Sequence, residues 1–207
     1  TDDAMVKDVR KPFPVAATLA AVATGVIAGL ASAWFATGGL MGAGALRNGG
    51  WTTDLTIGSQ AANPWVRMQI ARIGLLALPR SQTLYFDRNA DEAGAPLDSR
   101  CRYEIRGGPI PARWWSITAY GGDQMLSRTP NGPGSFDKTR LGAAASGRWT
   151  VVAGPGGGPT PPGLSFSGLD SVILMLRLYN PDAADPIALK VMELPRVVKI
   201  ACDGAGS

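Results

Sequence analysis

The sequence predicts a mainly β protein: a jelly-roll-like β sandwich with one amphipathic helix, preceded by a single transmembrane α-helix. Three observations carry this. Residues 15–36, VAATLAAVATGVIAGLASAWFA, form an apolar run without a charge. Beyond it, short strand-like runs recur to the C-terminus, separated by turn residues. The 27 glycines and 16 prolines exceed a fifth of the 207 residues and cluster between those runs, as in loop-rich β folds.

The apolar run organises the chain. About 22 residues at 1.5 Å per residue reach roughly 33 Å, enough to cross a bilayer core. We therefore assign 1–13 to a cytoplasmic tail, 14–36 to the membrane helix, 37–50 to a Gly-rich linker and 51–207 to a β domain. Along the helix Ala17, Ala21, Gly25, Gly29 and Ala33 recur every four residues, and Gly25–Gly29 is a GxxxG pair. In lipid, small faces let helix backbones approach closely, so this ridge is the expected helix-packing interface. A lone anchor rich in Ala and Gly is the alternative. Lys7, Arg10 and Lys11 precede the helix and the next cation, Arg47, follows it by about ten residues, which places the N-terminus in the cytoplasm and the body in the periplasm. Ala31-Ser32-Ala33 also fits a signal-peptidase site. Because the chain opens with Thr1, as after removal of an initiator Met, we expect a retained anchor.

Composition narrows the function. The net charge of +4 is mild and the cations are scattered, so no nucleic-acid surface is expected. There is no histidine, which removes the usual neutral-pH base, the Ser-His-Asp arrangement and most zinc sites. We expect no cofactor, no metal and no catalytic residues. Cys101 and Cys202 either form a disulfide in an oxidising compartment or remain two buried thiols.

After the linker, Asn63-Pro64 marks a helix start, with Val66, Ile70, Ile73 and Ala77 along one face and Pro79 as the stop. Strand runs follow at 83–86, 102–106, 113–120, 124–127, 148–153, 171–179, 187–192 and 196–201. The run 113–120 alternates, with Trp115, Ile117 and Ala119 on one face and Trp114, Ser116, Thr118 and Tyr120 on the other. Residues 154–163, GPGGGPTPPG, read as a surface loop.

Several groups invite a chemical reading. Trp114 and Tyr120, beside Trp115, form either a stacking face for a ligand or a mixture of core and interface. Asp87, Asp91, Glu92 and Asp98 have oxygens at calcium-loop spacing, but Glu92 stands where such a loop needs Gly, so a solvated hairpin loop is expected. Asp123, Asp137, Asp170 and Glu193 show no acid–base pairing pattern. Ser116 and Ser165 lack a nucleophile context. Arg177 sits in an apolar run and needs a partner, for which a carboxylate such as Asp123 is the natural choice.

Taken in order, NPWVRMQIAR, LYF with DRNADEAGAPL, CRYEIRGG, PIPARWWSITAY and RLYNP resemble the bacterial family of domain of unknown function 1214, in its short form with an N-terminal membrane helix. The resemblance covers roughly residues 63–198 and is most specific at 111–120 and 177–181. It implies a jelly-roll-like sandwich in the cell envelope and carries over no activity and no catalytic residues. The chain departs from the family pattern near 131–136 and after Ala153.

The expected role is a non-catalytic accessory subunit of a bacterial inner-membrane complex, plausibly photosynthetic or respiratory. The helix would dock against other transmembrane subunits and the β domain would lie in the periplasm. The alternative is a membrane-tethered binding module for glycan, lipid or protein, using the face of Trp114 and Tyr120.

Overall fold

The computed structural model describes residues 14–39, 45–72, 77–126, 132–157 and 162–202, so the expected cytoplasmic tail lies outside the described residues. The chain divides into two units, Thr1–Met41 and Gly42–Ser207. The first is built on α1 (Val15–Gly39), which begins where Pro14 accepts the first amides and runs past the predicted end at Ala36. Its span Val15–Phe35 is long and apolar enough to cross a membrane.

Among its described residues the second unit contains ten strands: β1 (Ala45–Asn48), β2 (Trp51–Asp54), β3 (Thr83–Arg88), β4 (Cys101–Gly107), β5 (Ala112–Tyr120), β6 (Ser135–Asp137), β7 (Trp149–Gly154), β8 (Leu164–Ser165), β9 (Ile173–Pro181) and β10 (Arg196–Cys202). Helices α2 (Pro64–Arg72), α3 (Lys138–Leu141) and α4 (Pro186–Val191) interrupt them. One sheet has the order β1-β2-β3-β9-β5-β6 and the other β10-β4-β7-β8. All pairs are antiparallel except β7–β8. The fold is thus mainly β in two sheets, as expected.

The core lies between the sheets because their strands alternate. From the large sheet, Leu84, Phe86, Trp115, Ile117, Leu174, Leu176 and Leu178 point inward. From the small sheet come Tyr103, Ile105, Trp149, Val151 and Val197. Trp115 stacks on Trp149 at 5.2 Å between ring centroids, and Phe136 meets both edge-on. Gly107 makes this packing possible, since a Cβ there would stand 2.1 Å from the Trp149 ring. Cys101 and Cys202 face each other at the β4–β10 margin and are bridged. The bond closes a separation of 101 residues, worth roughly 4–5 kcal/mol by loop entropy.

Four expectations need correction. The linker does not extend to residue 50, because Gly49 and Gly50 both take positive φ and turn β1 into β2. That two-residue loop is a glycine hairpin turn. Residues 187–192 are not a strand: the Asp185 carboxylate accepts the Ile187 and Ala188 amides and Pro186 opens α4. Residues 124–126 form a turn, with Gln124 at φ 65° and only an isolated bridge from Leu126 to Tyr120, and 127 lies outside the described residues. The loop at 87–92 is solvated only in part: Asp87, Asn89 and Glu92 are exposed as expected, but its other side chains turn inward. Arg88 and Asp91 are buried, and Arg88 donates to the Ala90 and Gly49 carbonyls and to Glu92 while lying over the Trp51 ring.

Other local readings hold. Asn63 accepts the Val66 amide and caps α2 at the predicted start; residues 73–76 lie outside the described residues. The turn at 155–156 is exposed, as expected of a surface loop, and 158–161 lie outside the described residues.

Candidate functional site

Period-two alternation gives the large sheet a second, outward face. Its register sets Thr83, Tyr179 and Trp114 in one cross-strand row. Tyr85, Arg177 and Ser116 form the next, and Asp87, Met175 and Thr118 the one after, with Thr52 of β2 extending it. This face is covered in part: Thr83, Tyr85, Ser116, Thr118 and Met175 are at least nine-tenths buried, while Trp114, Tyr120, Arg177 and Tyr179 are half-buried and Asp87 is exposed. The Leu78 amide reaches the Tyr85 hydroxyl at 3.5 Å, which brings the segment before β3 against this face. The Thr83 hydroxyl has no hydrogen-bond partner among the described residues.

Arg177 occupies the middle of that face on the central strand β9. It is half-buried and donates to the Tyr120 hydroxyl, with its guanidinium 5.5 Å from the Tyr120 ring centroid. Among the described residues the ion pairs are Arg88–Glu92, Arg100–Asp98, Arg106–Glu104, Arg140–Asp137 and Arg196–Glu92, and Arg177 belongs to none. The expected pairing with Asp123 is therefore corrected: the Asp123 carboxylate folds back onto the Met125 amide. The nearest acid by register is Asp87, the diagonal neighbour of Arg177, a position about 7 Å away.

Asp87 is unusual for a carboxylate. No described residue donates a hydrogen bond to it. The surrounding protein pushes its pKa up to about 6, and the attraction of Arg177 opposes this without overcoming it. Asp87 is itself exposed at its end of β3, so solvent screens this desolvation and the direction of the shift is what stands. Glu92 shows the contrast. Partial burial raises its pKa, but hydrogen bonds from Arg88 and the Val197 amide, the charge of Arg88 and a bond from Arg196 together hold it below the usual range.

The predicted face is only partly assembled. Trp114 and Tyr120 both lie outward and half-buried, while Trp115 is core, as the alternation foretold. Trp114 donates Nε1–H to Thr139 at 2.9 Å and packs on Tyr179 at 5.2 Å between centroids. Arg177 lies between that aromatic pair and Tyr120. Asp87 joins the site only through the register; the sequence reading had grouped it with the acidic loop. Asp91 caps the Ala93 and Ala95 amides and Glu92 binds arginines, so the calcium-like spacing serves loop closure. Asp98 is bound by Arg100 side chain and amide and falls to about 2. Asp137 caps α3, while Asp123 and Asp170 line an open groove of about 460 Å³ with Met125, Leu126 and Ser171. Ser116 lies in the buried outer layer, and the buried Ser165 hydroxyl accepts the Ser167 amide. In α1, Ala17, Ala21, Gly25 and Gly29 are exposed and Ala33 is half-buried.

Among solved structures the chain is similar to the VPA0106 protein from Vibrio parahaemolyticus, at TM-score 0.51 and 21% identity over 68% of this chain and 36% of that one. It also matches an uncharacterized protein from Burkholderia cenocepacia at TM-score 0.40 and 18% identity, over 61% of this chain and 31% of that one. The chain thus spans about a third of the length of each, and the first likeness bears on the fold alone. No curated protein matches. Residues 82–183, which run from the start of β3 through β9 and hold Asp87, Trp114, Tyr120 and Arg177, match the family described as protein of unknown function (DUF1214), and the chain belongs to that family.

Proposed function

We propose that this protein is a non-catalytic binding module of the bacterial envelope. Helix α1 tethers it to the inner membrane and the outward face of the large sheet serves as its working surface on the periplasmic side. One observation carries the reading: Arg177 stands on that face beside Tyr120 and the Trp114–Tyr179 pair, with no carboxylate in contact among the described residues. A cation and half-buried aromatic rings on one face suit recognition of a ligand. The Cys101–Cys202 bridge is in keeping with an oxidising compartment. The test is a calorimetric screen of glycans, lipids and small acids against the full chain in detergent, with Trp114→Ala as the comparison. A ligand whose binding weakens in the variant supports the reading, and a screen without any ligand overturns it.

A second reading, an accessory subunit of a photosynthetic or respiratory membrane complex, rests on α1. A Cβ at Gly25 or Gly29 would meet nothing within 4 Å, so the small ridge offers an open surface for another helix. Mild-detergent purification of tagged protein from native membranes, with identification of co-migrating subunits, tests it. Replacing Gly25 and Gly29 with Leu should release a stoichiometric partner set; a set retained after that change excludes α1 as the docking element.

A further inference from the structure

Arg177 has more binding capacity than its surroundings use. A guanidinium carries five N–H donors, and the one partner found here for Arg177 is the Tyr120 hydroxyl. Its neighbours across the strands, Tyr85 and Ser116, bring no charge. Among the described residues Asp87, diagonal to it, makes no ion pair and accepts no hydrogen bond. A cation and an anion thus share one face of the sheet with a gap between them. On the opposite side of Arg177, two residues along β9, the Trp114–Tyr179 pair offers two aromatic rings tilted 56° to each other, either of which can take a ligand ring on its face.

We propose that this face of the sheet binds a small molecule bearing one carboxylate on a ring, with the carboxylate on Arg177, the ring against Trp114 or Tyr179, and Asp87 opposing the bound charge. The inference rests on the binding-module reading and specifies its ligand class. A monoanion fits better than a phosphate dianion. Among the described residues Arg177 is the cation beside Tyr120 and the Trp114–Tyr179 pair, and the Asp87 carboxylate repels added negative charge. The ring is either a sugar or an aromatic ring, since both stack on such a surface.

The arrangement predicts a pH dependence with a definite sign. The charged group acting on Asp87 is Arg177 on β9, and Tyr85 neighbours it on its own strand. Arg47 of β1 and Asp54 of β2 stand further along the same face. Below about pH 6 Asp87 is protonated and no longer competes for Arg177 or repels the ligand. Binding therefore strengthens as pH falls through that point, and at neutral pH it takes up a proton.

The experiment is calorimetric titration of the full chain in detergent with glucuronate, glucose, benzoate, benzyl alcohol and inorganic phosphate, at pH 5.5 and 7.5. The expected result is binding of glucuronate or benzoate, without binding of the neutral counterpart or of phosphate, and roughly three- to tenfold tighter at pH 5.5. Whichever acid binds identifies the ring. Arg177→Gln should weaken it by at least about tenfold. Should that variant fail to fold, Asp87→Asn decides: it should bind at pH 7.5 as tightly as the parent does at pH 5.5 and lose the pH dependence. Equal binding of glucose and glucuronate, preference for phosphate, or an unchanged pH dependence in Asp87→Asn would overturn the inference while leaving a binding module intact. No binding of any probe, with no ligand from the wider glycan and lipid screen, overturns both.

Discussion

Strand β9 has two faces made from one stretch of chain, and they have different fates. Leu174, Leu176 and Leu178 meet the second sheet and are fully sealed. Met175, Arg177 and Tyr179 alternate with them and face a layer of hydroxyls, an arginine and an isolated carboxylate. Burial alone does not separate the two, since Met175, Thr118, Ser116 and Thr83 are as deeply covered as many core residues. What differs is the demand on the side chains. The inner face asks for volume and shape, and Leu, Ile and Trp supply them. The outer face asks for partners, and Arg177 and Asp87 are left only partly satisfied. The lesson is that a covered polar layer with spare hydrogen-bonding capacity marks a site more clearly than a sealed core or a wet surface does.

The neighbouring tryptophans provide the strongest test of this contrast. Trp115→Ala removes a sealed ring from the Trp149–Phe136 cluster and should cost about 3–5 kcal/mol, lowering the melting temperature by roughly 10 °C. Trp114→Ala loses one hydrogen bond and one ring contact on the half-buried face and should cost only about 1 kcal/mol. Thermal denaturation of both variants checks the difference. Equal losses would mean that the outer face is structural core.

A smaller, pH-dependent effect should appear at Asp87. Its folded-state pKa of about 6 lies above the ordinary 3.8, so between roughly pH 4 and 6 folding takes up a proton. Stability from this group is thus greatest at low pH and is lost as pH rises through 6. Asp87→Asn should match the parent near pH 4 and melt higher at pH 7. A parent and variant with parallel melting profiles would show that the recess is well solvated. Glu92 works in the opposite sense, contributing above its unfolded value and losing that contribution on acidification.

The smallest effect is expected at Thr83. Its buried hydroxyl lacks a partner, so Thr83→Val, nearly the same in shape, should be neutral or stabilising by up to about 1 kcal/mol in chemical denaturation. A clear loss of stability would reveal a hydrogen bond to this hydroxyl and shrink the spare polar capacity of the outer layer.

Much of this was legible in the chain. Uncharged length alone marks α1, because backbone groups in lipid must be satisfied within one segment. Period-two alternation placed Trp115 inside and Trp114 outside, since side-chain direction along a strand is a local property. The hairpin at Asn48-Gly49-Gly50-Trp51 and the Asp185-Pro186 start of α4 carry ordinary turn and cap signals in the sequence. The two cysteines were named as a pair, but only the β4–β10 register brought Cys101 opposite Cys202. The placement of Asp87 diagonal to Arg177, the turn of Tyr120 over the guanidinium and the cover over Thr83 and Ser116 were likewise decided by tertiary structure. These depend on which strands pair, at what offset and under which segment, and those are contacts between residues tens of positions apart. Local chemistry tells which way a side chain points; only the assembled sheet tells what it meets.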